Sequence, residues 1–208
     1  MDVAPTALDG LRERVRRLLT PHRFAHTLGV EACVKRLGER FGLSNIGELR
    51  AAALLHDITK EYSEKEHIAL LDGAGITPDA ETRRMTALLH SMTAPLVIRR
   101  DFHEFATDAL LSAVACHTTG KVGMSLFDKI LFIADYIEDG RTYASCVAVR
   151  DRLWQALGDE AVPPETALDE AVLASLDHTV CSLVSRGSLV SVDTVLARNA
   201  LIGENSHR

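Results

Sequence analysis

Six ionisable side chains stand at the ends of apolar helical stretches in this sequence, where burial is costly unless a partner satisfies them. They are His26, His56, Asp57, His90, His117 and Asp135. The clearest case is the stretch AAALLHDITK at 51–60, where Ala52 and Ala53, together with Leu49 just before the stretch, recur at helical spacing with His56. Asp57 follows at once, so an imidazole and a carboxylate share the inner end of one helix. A divalent metal ion is one partner that would accept both.

The alternative is that each of these residues is an ordinary polar group. The dipeptide His56-Asp57 alone would also fit a helix that ends in a solvated pair, and a lone core histidine is usually satisfied by a backbone carbonyl. Six such residues would each need a separate buried partner, whereas one shared metal centre satisfies them together. Imidazole mixed with carboxylate favours iron, manganese, cobalt, zinc or another first-row ion.

The helices that must position these residues carry their own start patterns. Thr20-Pro21 is typical of an N-cap and a first helical position, and the helix that follows places His26 among apolar residues. Ser125 caps a strongly apolar helix that holds Asp135. Two capping boxes are also predicted from a polar residue followed three positions later by Glu. These are Asn45 with Glu48 and Ser63 with Glu66.

The remaining helices are predicted with less regular boundaries. One is expected to begin at Pro78 and reach His90, and another to run from Met92 to about Arg100. Asp193 is expected to cap a last short helix. No segment has the alternation and hairpin turn of paired strands, so the predicted fold class is all-α.

The composition limits the class of function. The 208 residues are 47% hydrophobic and carry a formal net charge of −6, which argues against binding nucleic acid by bulk charge. No apolar run is long enough to span a bilayer and no signal peptide is expected, so the predicted location is cytoplasmic, with no membrane partner. The four cysteines form no CxxC pair and are expected to be reduced and buried.

The order His26, His56-Asp57, Asp135 resembles the H…HD…D pattern of HD-domain metal-dependent phosphohydrolases. Longer stretches narrow the resemblance to YqeK-type HD proteins, the symmetrical bis(5'-nucleosyl)-tetraphosphatases. These stretches are HTLGV at 26–30, ALLHD at 53–57, HTTG at 117–120, ADYIE at 134–138 and the segment 193–199. The resemblance implies an HD-domain helical bundle, and we expect residues 1–208 to form one such domain with an N-terminal helix and a C-terminal helical extension.

The same resemblance implies roles for the six residues and their neighbours. It makes His26, His56, Asp57 and Asp135 the ligands of a metal centre with one or two ions, and it implies that the metal is iron. Catalytic roles fall to Asp57, Lys60, His90 and His117, with a metal-activated water as the nucleophile. The substrate-binding residues implied are Arg23, Lys60, His90, His117, Thr118, Thr119 and Arg141.

The implied reaction is cleavage of diadenosine tetraphosphate into two ADP. The expected partner is therefore a small nucleotide, and a homodimer is left open as the assembly. Two alternatives stay open at this point. One is another HD phosphohydrolase activity, on nucleoside monophosphates or guanosine tetraphosphate, and the other is a nucleotide-binding regulator. Four histidines outside the set are expected at the surface, and His22 is expected to be exposed or to support a ligand. The four are His67, His103, His178 and His207.

Overall fold

The computed structural model describes residues 3–205, and His207 lies outside that range. The described residues form eleven α-helices and two short 3₁₀ turns with no strand, so the predicted all-α class is confirmed. The helices are α1 (Pro5–Arg16), α2 (Pro21–Arg40), α3 (Ile46–Leu55), α4 (Glu64–Gly73), α5 (Ala80–Arg84), α6 (Leu89–Asp101), α7 (Asp108–Cys116), α8 (Leu126–Ile137), α9 (Ala144–Gly158), α10 (Pro164–Ser185) and α11 (Val192–Asn205).

Four helices form the centre of the fold. Helix α3 contacts α2, α7 and α8, and α8 also contacts α2 and α7; α3 is buried along almost its whole length because Ala and Leu fill it. Helix α6 packs on α7 and carries α4 on its other side. Helices α9 and α10 pair and pack on α8, while α11 packs on α10. The inner ends of α2, α3, α6, α7 and α8 thus meet in the interior of one bundle.

The start patterns at the most important helices are confirmed. Thr20 accepts a hydrogen bond from the Arg23 amide, and Pro21 occupies the first turn of α2. Ser125 forms a full capping box with Asp128 at the start of α8. The capping box of Ser63 is confirmed as well. These caps fix where the helices begin and therefore which residues reach the centre.

Three expectations about the helices are wrong. Asn45 makes no side-chain cap, because its amide donates to Glu48 (3.2 Å), which also accepts from the Thr107 hydroxyl. The chain does not run from Pro78 to His90 as one helix, since it breaks at Met85 into α5 and the 3₁₀ turn Thr86–Leu88. The last helix, α11, is 14 residues long rather than short.

The cysteine and histidine expectations need similar correction. Cys33, Cys116 and Cys146 are buried and free, but Cys181 is exposed on α10. His67 is 4% exposed rather than at the surface, and its Nδ1 lies 2.8 Å from the Thr93 hydroxyl. Leu71 lies one turn further along the same buried face of α4. That i, i+4 pairing is the sequence feature that predicts burial of the histidine.

One buried charge cluster ties the N-terminal helix to this centre. Glu31 of α2 is 5% exposed and receives the guanidinium of Arg12 from α1, with Nε at 2.8 Å from Oε2 and Nη2 at 2.5 Å from Oε1. Arg50 of α3 donates to the same carboxylate at 3.1 Å. Both oxygens of Glu31 are therefore bonded within the chain. Among the described helices, none has the length and apolar character required to cross a membrane.

Candidate metal centre

His56 and Asp57 reach the interior because α3 ends there. His56 is the C-cap of α3 with helical dihedrals, and Asp57 begins the turn that follows. His56 is 0% exposed and Asp57 3%. Because residues 51–55 of α3 are all buried, the helix delivers the pair to the bundle centre rather than to solvent.

The other predicted ligands arrive from the helices packed against α3. His26 lies in the second turn of α2, and its Nε2 is 3.0 Å from Oδ1 of Asp135, which lies in the last turn of α8. His26 Nε2 is 4.0 Å from Asp57 Oδ2, and His56 Nε2 is 3.5 Å from the same oxygen. His56 Nε2 is also 3.9 Å from Asp135 Oδ1. Two imidazole nitrogens and two carboxylate oxygens thus converge on one small volume.

The protonation of these histidines leaves their inward nitrogens free to bind a cation. His56 Nδ1 lies 2.7 Å from the Ala53 carbonyl, which can only accept, so Nδ1 carries the proton. His26 Nδ1 lies 3.1 Å from Glu138 Oε1 and is a donor by the same reasoning. The Nε2 atoms of His26 and His56 are buried without a hydrogen-bond partner. Two orphaned nitrogens beside two carboxylates fit a first-row metal ion.

A second donor group shares Asp57. Its Oδ1 lies 3.2 Å from His90 Nε2 and 3.7 Å from His117 Nε2. The two histidines donate their Nδ1 protons to the carbonyls of Ala87 (2.7 Å) and Val114 (2.6 Å). Their Nε2 atoms then face each other at 3.0 Å as two acceptors. Such an approach requires a cation or a proton between them, and three of these donor atoms lie close enough to hold one ion.

Burial controls how these groups titrate. It lowers the pKa of His56 to about 4 and that of His90 to about 4, so both imidazoles are neutral near pH 7. Burial opposes ionisation of Asp57, but the nearby His56, His117, His90 and Lys60 hold its pKa well below the usual range. Burial likewise opposes ionisation of Asp135, whose pKa is nevertheless lowered by the nearby His26, His56 and Arg141. Neutral imidazoles and ionised carboxylates are the states that bind metal.

Three of the predicted substrate cations surround the two donor groups. Arg23 Nη1 donates to Asp57 Oδ2 at 2.9 Å, and Arg141 Nη2 donates to Asp135 Oδ1 at 2.8 Å. Lys60 Nζ lies 3.9 Å from Asp57 Oδ1, and burial lowers the pKa of its ammonium. Each cation is thus placed beside a carboxylate of the centre, at its accessible edge.

The two threonines predicted to bind substrate differ in position. Thr118 Oγ1 lies 3.2 Å from His90 Nε2 and 3.1 Å from His117 Nε2, so it belongs to the centre. Thr119 is buried, and its hydroxyl donates to the Gly120 carbonyl at 2.9 Å. The structure therefore brings Thr118 to the site and directs Thr119 into its own loop. His22, expected to be exposed or to support a ligand, is exposed at the start of α2.

Glu138 is a functional candidate that the sequence interpretation missed. It is 4% exposed, with Oε1 at 3.1 Å from His26 Nδ1 and Oε2 accepting the Gly140 amide at 2.6 Å. A carboxylate behind a ligating imidazole fixes the ring orientation and its tautomer. Gly29, one turn after His26, leaves the space, because a Cβ there would overlap Glu138 Oε2. The stretch ADYIE contained Glu138, but sequence alone did not show that it faces His26.

Comparisons with known proteins agree with this geometry. The HD domain family matches residues 23–140. The chain is 30% identical over 188 residues to "Bis(5'-nucleosyl)-tetraphosphatase, symmetrical" of Bacillus subtilis, a match that covers 90% of this chain and 94% of the relative. The protein of the same name from Halalkalibacterium halodurans is 28% identical, with 91% and 94% covered. A crystal structure described as a predicted HD superfamily hydrolase involved in NAD metabolism, from Clostridium acetobutylicum, is 29% identical with a TM-score of 0.81, covering 94% of this chain and 97% of that one.

Proposed function

This chain belongs to the HD domain family and is a hydrolase, and from that premise we propose that it cleaves diadenosine tetraphosphate symmetrically into two ADP. The observation that carries the proposal is the pair of donor groups sharing Asp57, with three cationic side chains at their edge. The relatives of known name supply the substrate class, since they are called symmetrical bis(5'-nucleosyl)-tetraphosphatases. A small nucleotide is accordingly the proposed partner.

The proposed metal ligands are His26, His56, Asp57 and Asp135. A first-row ion held there would act as a Lewis acid and lower the pKa of a coordinated water. Iron is the ion that the family resemblance favours. His90 and His117, which share Asp57 as a neighbour, either complete a second ion site or hold phosphate oxygens.

The remaining residues would hold the polyphosphate chain. Lys60, Arg23 and Arg141 supply positive charge that a protein of net charge −6 otherwise lacks. The Thr118 hydroxyl, between His90 and His117, is in position to donate to a phosphate oxygen. Thr119 would contribute through the position of its loop, because its own hydroxyl donates to the Gly120 carbonyl.

The proposed bond change is a displacement at phosphorus. The oxygen of water bonds to the second phosphorus of one ADP half, assisted by Asp57 as the group that orients it. The bond from that phosphorus to the central bridging oxygen breaks, and the other half leaves as ADP. Lys60 would neutralise the charge that develops on the leaving phosphate.

Hydrolysis in ¹⁸O-labelled water tests the position of cleavage. We expect ADP as the sole nucleotide product, with one heavy oxygen in half of the ADP molecules. Equal amounts of AMP and ATP would contradict symmetrical cleavage. Turnover of nucleoside monophosphates or guanosine tetraphosphate instead would identify another HD phosphohydrolase activity, and tight nucleotide binding without turnover would identify a regulator.

A further inference from the structure

A cavity of about 480 Å³ lies beside the metal centre, between the turn that follows α5 and the junction of α10 with α11. Its apolar walls include Leu88, Leu183 and Leu189. Hydroxyl groups of Ser191 and Thr194 also line it. Its volume falls within the range of small-ligand sites, which combine apolar walls with a few hydrogen-bonding groups.

The cavity is joined to the centre through Thr118. That residue lines the cavity, and its hydroxyl also contacts the Nε2 atoms of His90 and His117. Ala87 lines the cavity too, and its carbonyl accepts the His90 Nδ1 proton at 2.7 Å. A ligand in the cavity would therefore have one end next to the histidines that face the phosphate chain.

Helix α11 supplies Thr194 to the cavity wall and packs against the loop that carries Thr118. Gly120 in that loop has φ +68°, and a Cβ on it would lie 3.0 Å from the Cβ of Ala197 in α11. This close approach needs glycine on both counts. The cavity thus depends on α10 and α11, which follow the matched HD residues 23–140 in the chain.

Two cavities differ in their charged lining residues, and this difference indicates which part of the substrate each could hold. One cavity of about 370 Å³ is lined by Arg23, His26, Glu138 and Arg141, which suits phosphates. The 480 Å³ cavity has a single charged lining residue, Arg84. A nucleoside is an uncharged group with a flat base and hydrogen-bonding edges, and of these two cavities the 480 Å³ cavity matches it.

We propose that this cavity binds the base and ribose of one half of the dinucleotide, while the attached phosphates pass Thr118 to reach the centre. The inference rests on the proposed function and adds to it the location of one nucleoside. It assigns substrate recognition to α10 and α11, whereas the residues proposed for the chemistry lie within the HD domain and at its end.

Two neighbouring residues of α10 provide a matched pair of variants. Leu183 is half-buried and lines the cavity, whereas Val184 is 63% exposed and does not. Leu183→Trp should fill the cavity and raise both the KM for diadenosine tetraphosphate and the inhibition constant of ADP by at least about tenfold. Inhibition by inorganic tripolyphosphate, which needs no nucleoside site, should stay unchanged. Val184→Trp should leave all three constants unchanged.

Photoaffinity labelling of the wild-type holoenzyme with 8-azido-ADP decides the matter without relying on a variant. We expect the label in tryptic peptides 85–99, 153–186 or 187–198, which contain all the cavity residues except Arg84 and Thr118. Labelling confined to peptide 142–150, at the charged cavity, would overturn the inference. Active enzyme in which Leu183→Trp behaves like Val184→Trp would overturn it as well. Wild-type enzyme without activity on the dinucleotide would overturn the proposed function itself, and the inference with it.

Discussion

Two buried carboxylates on neighbouring helices have opposite surroundings. Glu31 is 5% exposed, and both of its oxygens accept guanidinium protons from Arg12 and Arg50. Asp57 is 3% exposed and faces four imidazoles, two of which have an inward nitrogen without a hydrogen-bond partner. A charge balanced within the chain stabilises the fold, whereas a charge whose neighbours stay unbonded marks a place for a ligand. Burial alone does not distinguish the two.

Removing a ligand nitrogen should produce the largest effect. His56→Ala should abolish metal binding and reduce activity by roughly a thousandfold or more, beyond the 10–100-fold that loss of a supporting contact costs. The helical circular dichroism should persist, because the side chains of the centre hold an ion rather than pack the core. Metal content is measured by elemental analysis, with His103→Ala as the control, since that side chain is 82% exposed. Full metal content in His56→Ala would refute the site.

Glu31, whose charge is balanced within the chain, should affect stability and not metal binding. Glu31→Gln removes the charge that Arg50 and Arg12 share, although Arg12 keeps its pair with Asp9, and we expect the free energy of unfolding to fall by about 3 kcal/mol. Metal content should not change. Urea denaturation measures the difference, and Glu39→Gln is the control, since its pair with Lys35 is about half exposed and should contribute less than about 1 kcal/mol. Loss of metal in Glu31→Gln would remove the distinction between the two carboxylates.

Acid should destabilise the metal-free protein through the imidazoles near Asp57. Burial lowers the pKa of His56 and His90 to about 4, so between pH 6 and pH 5 the unfolded chain binds protons that the folded chain does not. Stability then falls as the pH falls, on the order of 2 kcal/mol over that interval. The raised pKa of His26 acts at higher pH and adds no loss here. Urea titrations at both pH values test this, and equal stabilities would contradict it.

The smallest effect should come from the carboxylate behind His26. Glu138→Gln keeps the size of the side chain but removes the charge that holds the His26 proton, and we expect roughly tenfold weaker metal affinity. Competition with a chelator measures the affinity. Asp139→Asn is the matched control because that neighbour is 78% exposed. If the two variants bind metal equally well, Glu138 does not position the imidazole.

The sequence predicted the helices around the centre because their patterns are local. Thr20-Pro21 and Ser125 mark helix starts through contacts within four residues, and the structure confirms both. The failures were long-range. Asn45 did not cap its helix because Glu48 is engaged by Thr107, 59 positions further along the chain. Local spacing carries no information about such a partner.

The predictions for the candidate site likewise succeeded where the pattern is local and failed where the position depends on tertiary contacts. Apolar stripes predicted that His26, His56 and Asp135 would point inwards, and the structure brings them together, although their roles stay predictions. Glu138 was missed because its position behind His26 depends on how α8 packs against α2. Thr119 was expected at the substrate, yet its hydroxyl turns to Gly120, a choice that only the loop geometry decides. Tertiary packing, not residue type, separates these cases.

The absence of a side chain at position 29 has a consequence for how the family can vary. Any residue larger than glycine there would displace the carboxylate of Glu138, and with it the group that orients His26. The residue that position 29 can carry therefore depends on the size of the side chain at position 138. Among relatives that keep the centre, we expect a larger residue at 29 to occur only together with a shorter one at 138.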